Sequence, residues 1–212
     1  LILNFMSFAT LAIFLPTFFF VSVTPGLCMT LALTLGMSIG VKKSLHMMWG
    51  ELIGVGLVGA SAGLGVATIM LRFPQVFIAL KIIGGLYLIW IGFQMWQSKG
   101  SLAIPDQNSV LPVSSKPLDL ALKGFFTAVA NPKGWAFFVS LLPPFLNASQ
   151  PMAPQLITLL SIILSIEFLC LMLYASGGQM LRHLLLNQQN VKLLNRIAGT
   201  LMVGVGIWLM LG

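Results

Sequence analysis

The chain has 212 residues, of which 58% are hydrophobic and only 7% are charged. Soluble domains carry about 25% charged residues, so this composition excludes an ordinary soluble protein and predicts a surface in contact with the lipid bilayer. The formal net charge of +7 fits basic cytoplasmic loops better than nucleic-acid binding, and we expect no nucleic-acid partner.

Six hydrophobic segments are candidates to cross the membrane, since a hydrocarbon core of about 30 Å needs about 20 apolar residues per helix. They lie at about residues 8–40, 44–71, 75–97, 118–146, 154–180 and 193–211. A polar stretch rich in Ser, Pro and Lys separates the third from the fourth. We therefore predict an all-α membrane protein with a first three-helix repeat (1–97), a cytoplasmic linker loop (98–117) and a second three-helix repeat (118–212).

Prolines interrupt the first and fourth segments at corresponding places. Thr24-Pro25-Gly26 lies midway along the first segment, and Asn131-Pro132-Lys133-Gly134 lies midway along the fourth. Proline removes a backbone donor, and lipid cannot satisfy the freed carbonyls, so such breaks persist only beside protein or a watery cavity. We predict that helices 1 and 4 are broken mid-membrane.

Other features repeat in the same order in the two halves. Ala60-Ser61-Ala62-Gly63 in the second segment matches Ala175-Ser176-Gly177-Gly178 in the fifth, and Glu51 and Glu167 lie in those segments. Because each half has three helices, the second half must enter the membrane inverted, as in many secondary transporters.

Loop charges predict the orientation. The loop after the second segment holds Arg72, and the loop after the fourth holds no charge. The loops after the first, third and fifth segments hold Lys42, Lys43, Lys99, Lys116, Arg182 and Lys192. These loops should be cytoplasmic, so both termini should lie outside.

The two breaks predict a substrate-binding site. The second half of each broken helix would begin near the midplane, where its free N–H groups and positive dipole end attract a carboxylate. The site would include Thr24, Pro25, Gly26, Asn131 and Pro132. The alternative is that the prolines are tolerated kinks, since Pro is frequent in membrane helices.

Three of the charged residues inside these segments are candidate site residues. Lys133 near the bilayer centre costs on the order of 3 kcal/mol, so we expect it to contact a substrate carboxylate; snorkelling to an interface is the alternative. Glu51 could pair with Lys133, bind a substrate ammonium or carry a coupling proton, unless it is an interfacial carboxylate near Lys42 and Lys43. Glu167 is a second proton-coupling candidate, or a structural hydrogen bond between helices.

Catalytic patterns are absent from the sequence: it has no H-E-x-x-H, P-loop lysine motif or Gly-rich nucleotide loop. We expect no enzyme activity, no cofactor and no metal site. Metal-ion export is an alternative, but Glu51, Glu167, Cys28 and His46 are scattered across helices. A membrane thiol oxidoreductase would need a cysteine at each break, and Cys28 follows the first break only, with Cys170 isolated elsewhere.

The chain resembles the lysine exporter / homoserine–threonine exporter (LysE/RhtB) family over nearly its whole length. The matching stretches are Thr24-Pro25-Gly26, Gly50-Glu51, Lys81-x-x-Gly84-x-x-Tyr87-Leu88-x-x-x-Gly92, Asn131-Pro132-Lys133 and Leu194-Asn195-Arg196-x-x-Gly199. The resemblance implies a bacterial inner-membrane exporter of amino acids or related small metabolites, driven by the proton gradient. Whether it works as a monomer or a homodimer stays open.

Two positions depart from the family pattern. The family usually has Pro-Gly-Pro followed by polar residues at the first break, whereas this chain has the apolar run Leu27-Cys28-Met29 after Pro25-Gly26. The family usually has Asp after the Gly of the second helix, where this chain has Glu51. The first departure favours a more apolar substrate.

Overall fold

The computed structural model describes residues 8–98, 116–147 and 149–211, and these ranges contain helices and no strands. The helices are α1 (Phe8–Val23), α2 (Leu27–Ile39), α3 (Val41–Arg72), α4 (Pro74–Gln97), α5 (Pro117–Val129), α6 (Pro132–Leu141), α7 (Met152–Leu186) and α8 (Gln188–Leu211), with a 3₁₀ turn at Pro143–Phe145. The predicted all-helical class is therefore confirmed. Most of the predicted linker, residues 99–115, lies outside the described residues.

Four of the described helices are long and apolar enough to cross a membrane. They are Val41–Arg72, Gln75–Gln97, Met152–Gly178 and Gln188–Leu211. α1 and α2 meet at a bend of 57° and make a fifth candidate if they form one span. α5 and α6, with 13 and 10 residues, are each too short to cross alone. The chain is thus a multi-pass membrane protein.

The structure has both predicted interruptions. α1 ends at Val23 and α2 begins at Leu27, while α5 ends at Val129 and α6 begins at Pro132. Gly26 precedes α2 in an extended conformation (φ −136°, ψ −169°). Pro25 cannot donate a backbone hydrogen bond to the preceding turn, so the helix cannot run unbroken through this point.

α7 has a kink near the predicted end of the fifth segment. The apolar span was expected at about 154–180 and lies at Met152–Gly178, and beyond the kink at Gly178 a helical stretch continues to Leu186. Gly178 has φ 48° and ψ −134°, a conformation that glycine adopts at little cost and that L side chains rarely adopt. A Gly-Gly pair thus bends this helix instead of ending it.

α4 and α8 cross antiparallel through two pairs of glycines. A Cβ on Gly85 would lie 2.8 Å from the Gly206 carbonyl oxygen, and one on Gly206 would lie 2.7 Å from that of Gly85. Gly92 and Gly199 approach in the same reciprocal way, at 2.7 and 2.6 Å. Glycine allows backbones to approach this closely in membrane helices. When Lys81-Ile-Ile-Gly-Gly-Leu-Tyr-Leu of the first half is aligned with Asn195-Arg-Ile-Ala-Gly-Thr-Leu-Met of the second, Gly85 corresponds to Gly199 and Gly92 to Gly206. Exchanging the halves therefore turns one pair of contacts into the other.

α3 packs between α5 and α7. Residues further along α3 contact residues further along α5: Gly50 lies against the Ala121 backbone and Gly54 against that of Phe125. α3 and α5 therefore run parallel. The contacts with α7 advance in opposite directions, since Gly56 faces Leu164 and Gly63 faces Leu156. α7 therefore ends at the side where α3 and α5 begin.

The helix directions show at which end of the bundle each cationic side chain lies. Of the cations whose side chains the structure describes, Arg72 is at the end of the bundle where α3 ends. The others are at the opposite end, where α3, α5 and α8 begin: Lys42, Lys43, Lys116, Lys123, Arg182, Lys192 and Arg196. One end of the molecule is therefore strongly basic.

Candidate functional site

Both helix breaks line one cavity of about 430 Å³. Thr24, Pro25 and Gly26 of the first break lie in its wall, and Asn131 of the second break joins them. Glu51 of α3 and Glu167 of α7 complete the polar part of the lining. The structure thus brings together residues that the sequence singled out on four separate segments.

Two predicted site residues cannot be placed in this lining. α6 begins at Pro132, but the side chains of Pro132 and Lys133 lie outside the described part of the chain. Gly134, in the first turn of α6, does line the cavity. The contact between Lys133 and a substrate carboxylate therefore stays a prediction.

A hydrogen bond from another helix replaces one that α1 loses at the first break. The Phe20 carbonyl keeps its helical partner, the Thr24 N–H at 3.2 Å, and also accepts from the Thr24 hydroxyl at 2.6 Å. The Val23 carbonyl, the last of α1, accepts a bond of 2.7 Å from the buried hydroxyl of Tyr174 on α7. No side chain caps the start of α2, so its first N–H groups are available at the cavity wall.

At the second break, residues of the same broken span supply the hydrogen bonds. The Asn131 carbonyl accepts from the backbone N–H groups of Gly134 (3.0 Å) and Trp135 (3.4 Å). The Trp135 indole N–H donates to the Val129 carbonyl at 2.9 Å. In each break an aromatic donor therefore satisfies the carbonyl of the valine that ends the first helix.

Glu51 is the most unusual group in the lining. Its side chain is 0% exposed, and neither carboxyl oxygen has a hydrogen-bond partner among the described residues. Lys42 and Lys43 are exposed, two or more helical turns away, so neither lysine lies beside this carboxyl. A buried carboxyl without a partner is costly, and such a group inside a membrane protein is a candidate functional residue.

Glu167 differs from Glu51 in its surroundings. It is half-buried and accepts a hydrogen bond of 2.6 Å from the Ser22 hydroxyl. This bond joins α7 to the end of α1, which is the interhelical hydrogen bond that the sequence offered as an alternative. The carboxylate also lines the cavity, and its part in proton coupling stays a prediction.

The rest of the lining is mostly apolar. Its aromatic and aliphatic part includes Phe18, Val55, Val58, Phe137 and Phe138, which lie on α1, α3 and α6. Small-molecule sites in proteins commonly combine an apolar lining with a few placed polar groups, in volumes of about 300–1,000 Å³. The cavity therefore suits a small molecule with a polar end and an apolar body.

Several residues of this site were not predicted from the sequence. Ser22 and Tyr174 were not singled out, and neither was the aromatic lining. One signal was present for Tyr174, because a tyrosine inside an apolar membrane helix needs a partner for its hydroxyl. The partner itself is a backbone carbonyl 151 residues away, which no sequence pattern indicates.

Metal-ion export and thiol oxidoreductase activity were the alternatives. In the part of the chain that the structure describes, no group of three or more His, Cys, Asp and Glu side chains is arranged to hold a metal ion. Cys28 and Cys170 are both free and buried.

Comparison with known proteins agrees with this geometry. The homoserine/homoserine lactone efflux protein of Salmonella typhimurium is 26% identical over 201 residues, or 95% of this chain and 96% of that protein. The leucine efflux protein of Enterobacter sp. strain 638 is 30% identical over 189 residues, or 88% of each. An uncharacterized membrane protein of Vibrio cholerae is 24% identical over 188 residues, or 89% of this chain and 90% of that protein.

No solved structure matches the chain significantly. The family model described as LysE type translocator matches residues 19–212, which include both breaks and both glutamates. The chain therefore belongs to the LysE type translocator family: it is a membrane transporter and not an enzyme.

Proposed function

We propose that the protein exports an amino acid with an apolar side chain across the bacterial inner membrane and that a proton moves in the opposite direction. The observation that carries this proposal is the buried, unpartnered carboxyl of Glu51 in a cavity whose remaining lining is mostly apolar. The names of two relatives, a leucine efflux protein and a homoserine/homoserine lactone efflux protein, agree with an amino-acid substrate.

The polar part of the cavity suits the two charges of an amino acid. The substrate ammonium would lie toward Glu51 and Glu167. Its carboxylate would lie at the starts of α2 and α6, where the helix dipoles favour negative charge. The first N–H groups of α2, which no side chain caps, would donate to it. Lys133 would add a charge-assisted hydrogen bond to the carboxylate. The side chain would then pack against the aromatic and aliphatic lining.

The acidic residues would also carry the coupling proton. In this mechanism Glu51 binds either a proton or the substrate ammonium but not both, so the two species exchange across the membrane. Glu167 would take part through its contact with Ser22 at the end of α1, just before the first break. Carboxyl groups inside membrane helices commonly serve as proton relays in transporters.

The transmembrane arrangement that we propose has six spans in two inverted halves, with α1–α2 and α5–α6 as the broken ones. The reciprocal contacts of Gly85 with Gly206 and of Gly92 with Gly199 support a two-fold relation between the halves. The basic end of the bundle would face the cytoplasm. Both termini would then lie outside.

An export assay tests the substrate. Cells that overproduce the protein are loaded with dipeptides that release leucine, isoleucine, methionine, homoserine or lysine, and the appearance of each amino acid outside is timed. We expect faster release of the aliphatic amino acids than in cells with the empty vector, and no change for lysine, whose second charge has no place against the apolar lining. Unchanged release of every amino acid, or faster release of lysine alone, would contradict the proposal.

A further inference from the structure

Two hydrogen bonds, one donated in each direction, join α7 to successive residues at the end of α1. The Ser22 hydroxyl donates to Glu167 at 2.6 Å, and the Tyr174 hydroxyl donates to the Val23 carbonyl at 2.7 Å. Tyr174 is 1% exposed, so its hydroxyl bond is shielded from water. The start of the first break is therefore fixed to another helix.

The Val23 carbonyl needs this donor because of the break that follows it. In an unbroken helix the carbonyl would accept from the backbone N–H of Leu27, but α2 begins at Leu27 in a new direction. A buried carbonyl without a partner is costly in an apolar environment. The second break solves the same problem locally, with Trp135 of its own span, whereas the first depends on α7.

We propose that Tyr174 is a positioning residue whose hydroxyl fixes the α1–α2 break at the cavity wall. Without this bond, the end of α1 and residues Thr24 to Gly26 would be free to move away from α7. The cavity would then lose the fixed start of α2. The effect on the break follows from the geometry alone, while the effect on transport rests on the proposed function.

The chain provides its own probes and control for this test. It contains two tyrosines and two cysteines. Cys28 is the second residue of α2, just after the break, and Cys170 lies one turn before Tyr174 on α7. Both thiols are buried. Tyr87→Phe is the matched control for Tyr174→Phe, since Tyr87 lies on α4 and stacks on Trp90.

The experiment measures how fast a membrane-permeant maleimide labels each cysteine of the purified protein in lipid nanodiscs, by mass spectrometry. We expect Tyr174→Phe to speed labelling of Cys28 about five- to tenfold, because local opening becomes easier when a buried hydrogen bond is lost. Cys170 should react at the wild-type rate, and Tyr87→Phe should change neither rate. An unchanged Cys28 rate, or an equal rise at both cysteines, would overturn the proposal.

Hydrogen–deuterium exchange on the wild-type protein gives a second test that needs no variant to fold. The hydrogen-bonded amides in the last turn of α1 (20–23) should exchange more slowly than those in the last turn of α5 (126–129), whose valine carbonyl accepts from Trp135 of the same broken span. Faster exchange in the last turn of α1 would contradict the role of Tyr174.

Transport by Tyr174→Phe in proteoliposomes then distinguishes the positioning role of Tyr174 from the proposed export function. We expect a several-fold higher apparent KM with a smaller change in the maximal rate. If Cys28 labelling rises as expected but the wild-type protein moves no amino acid, the positioning role stands and the proposed function fails. If the wild-type protein transports an amino acid and Cys28 labelling is unchanged, only the positioning role fails.

Discussion

Glu51→Gln is expected to abolish export driven by a pH gradient while the protein still folds and reaches the membrane. Glutamine keeps the shape of the side chain but removes its negative charge and its ability to bind and release a proton. Loss of one charged hydrogen bond of about 1.5–3 kcal/mol would weaken substrate binding about ten- to a hundredfold, and the loss of coupling adds to this effect.

The measurement is amino-acid efflux from proteoliposomes under an imposed pH gradient. Asp119→Asn is the matched control, since Asp119 is an exposed acid in the first turn of α5, and it should transport normally. Glu51→Asp should retain part of the activity because it keeps the carboxyl group. Wild-type dependence on the pH gradient in Glu51→Gln would show that this carboxyl does not carry the coupling proton.

Gly124→Val is expected to destabilise the protein by about 3 kcal/mol or more. A Cβ at this position of α5 would collide with the Met47 carbonyl oxygen and lie 2.9 Å from the Glu51 backbone nitrogen on α3. Both are backbone atoms, so no rotamer change relieves the overlap and α3 and α5 must separate. Because Glu51 lies at this contact, binding should be lost together with stability.

Gly65→Val is the matched control for this substitution. Gly65 lies on α3 and a Cβ there would meet no atom within 4 Å, so its effect on stability should be within about 0.5 kcal/mol. Denaturant unfolding of the two purified variants provides the comparison. Equal stability of Gly124→Val and the wild type would mean that the two helices are not in backbone contact.

The sequence predicted the features of this fold that depend on local chemistry. A proline inside a helix removes a backbone hydrogen bond, and the matching positions of Pro25 and Pro132 in the two halves predicted the breaks after Val23 and Val129. The position of a proline matters, since α1 runs through Pro16. A carboxyl inside an apolar segment must avoid lipid, so Glu51 and Glu167 could be expected to face the protein interior.

The features that depend on packing could not be predicted. The bond between Tyr174 and the Val23 carbonyl joins residues 151 positions apart, and it requires a particular rotation of α7 about its axis. The kink at Gly178 was missed because Gly-Gly pairs in membrane helices more often serve close packing. The aromatic lining was missed because aromatic residues at helical spacing are equally common on surfaces that face lipid.

A tryptophan introduced into the cavity tests the central claim, that the cavity between the two breaks binds the exported amino acid. Val55 lines the cavity, whereas Leu57, two residues along α3 on another face, is 52% exposed on the outer surface. Equilibrium binding of the radiolabelled amino acid that the export assay identifies is measured on purified Val55→Trp, Leu57→Trp and wild-type protein. We predict wild-type affinity for Leu57→Trp and at least about tenfold weaker binding for Val55→Trp, because the indole occupies the substrate's space. Wild-type affinity in a correctly folded Val55→Trp protein would contradict the account and place the binding site elsewhere.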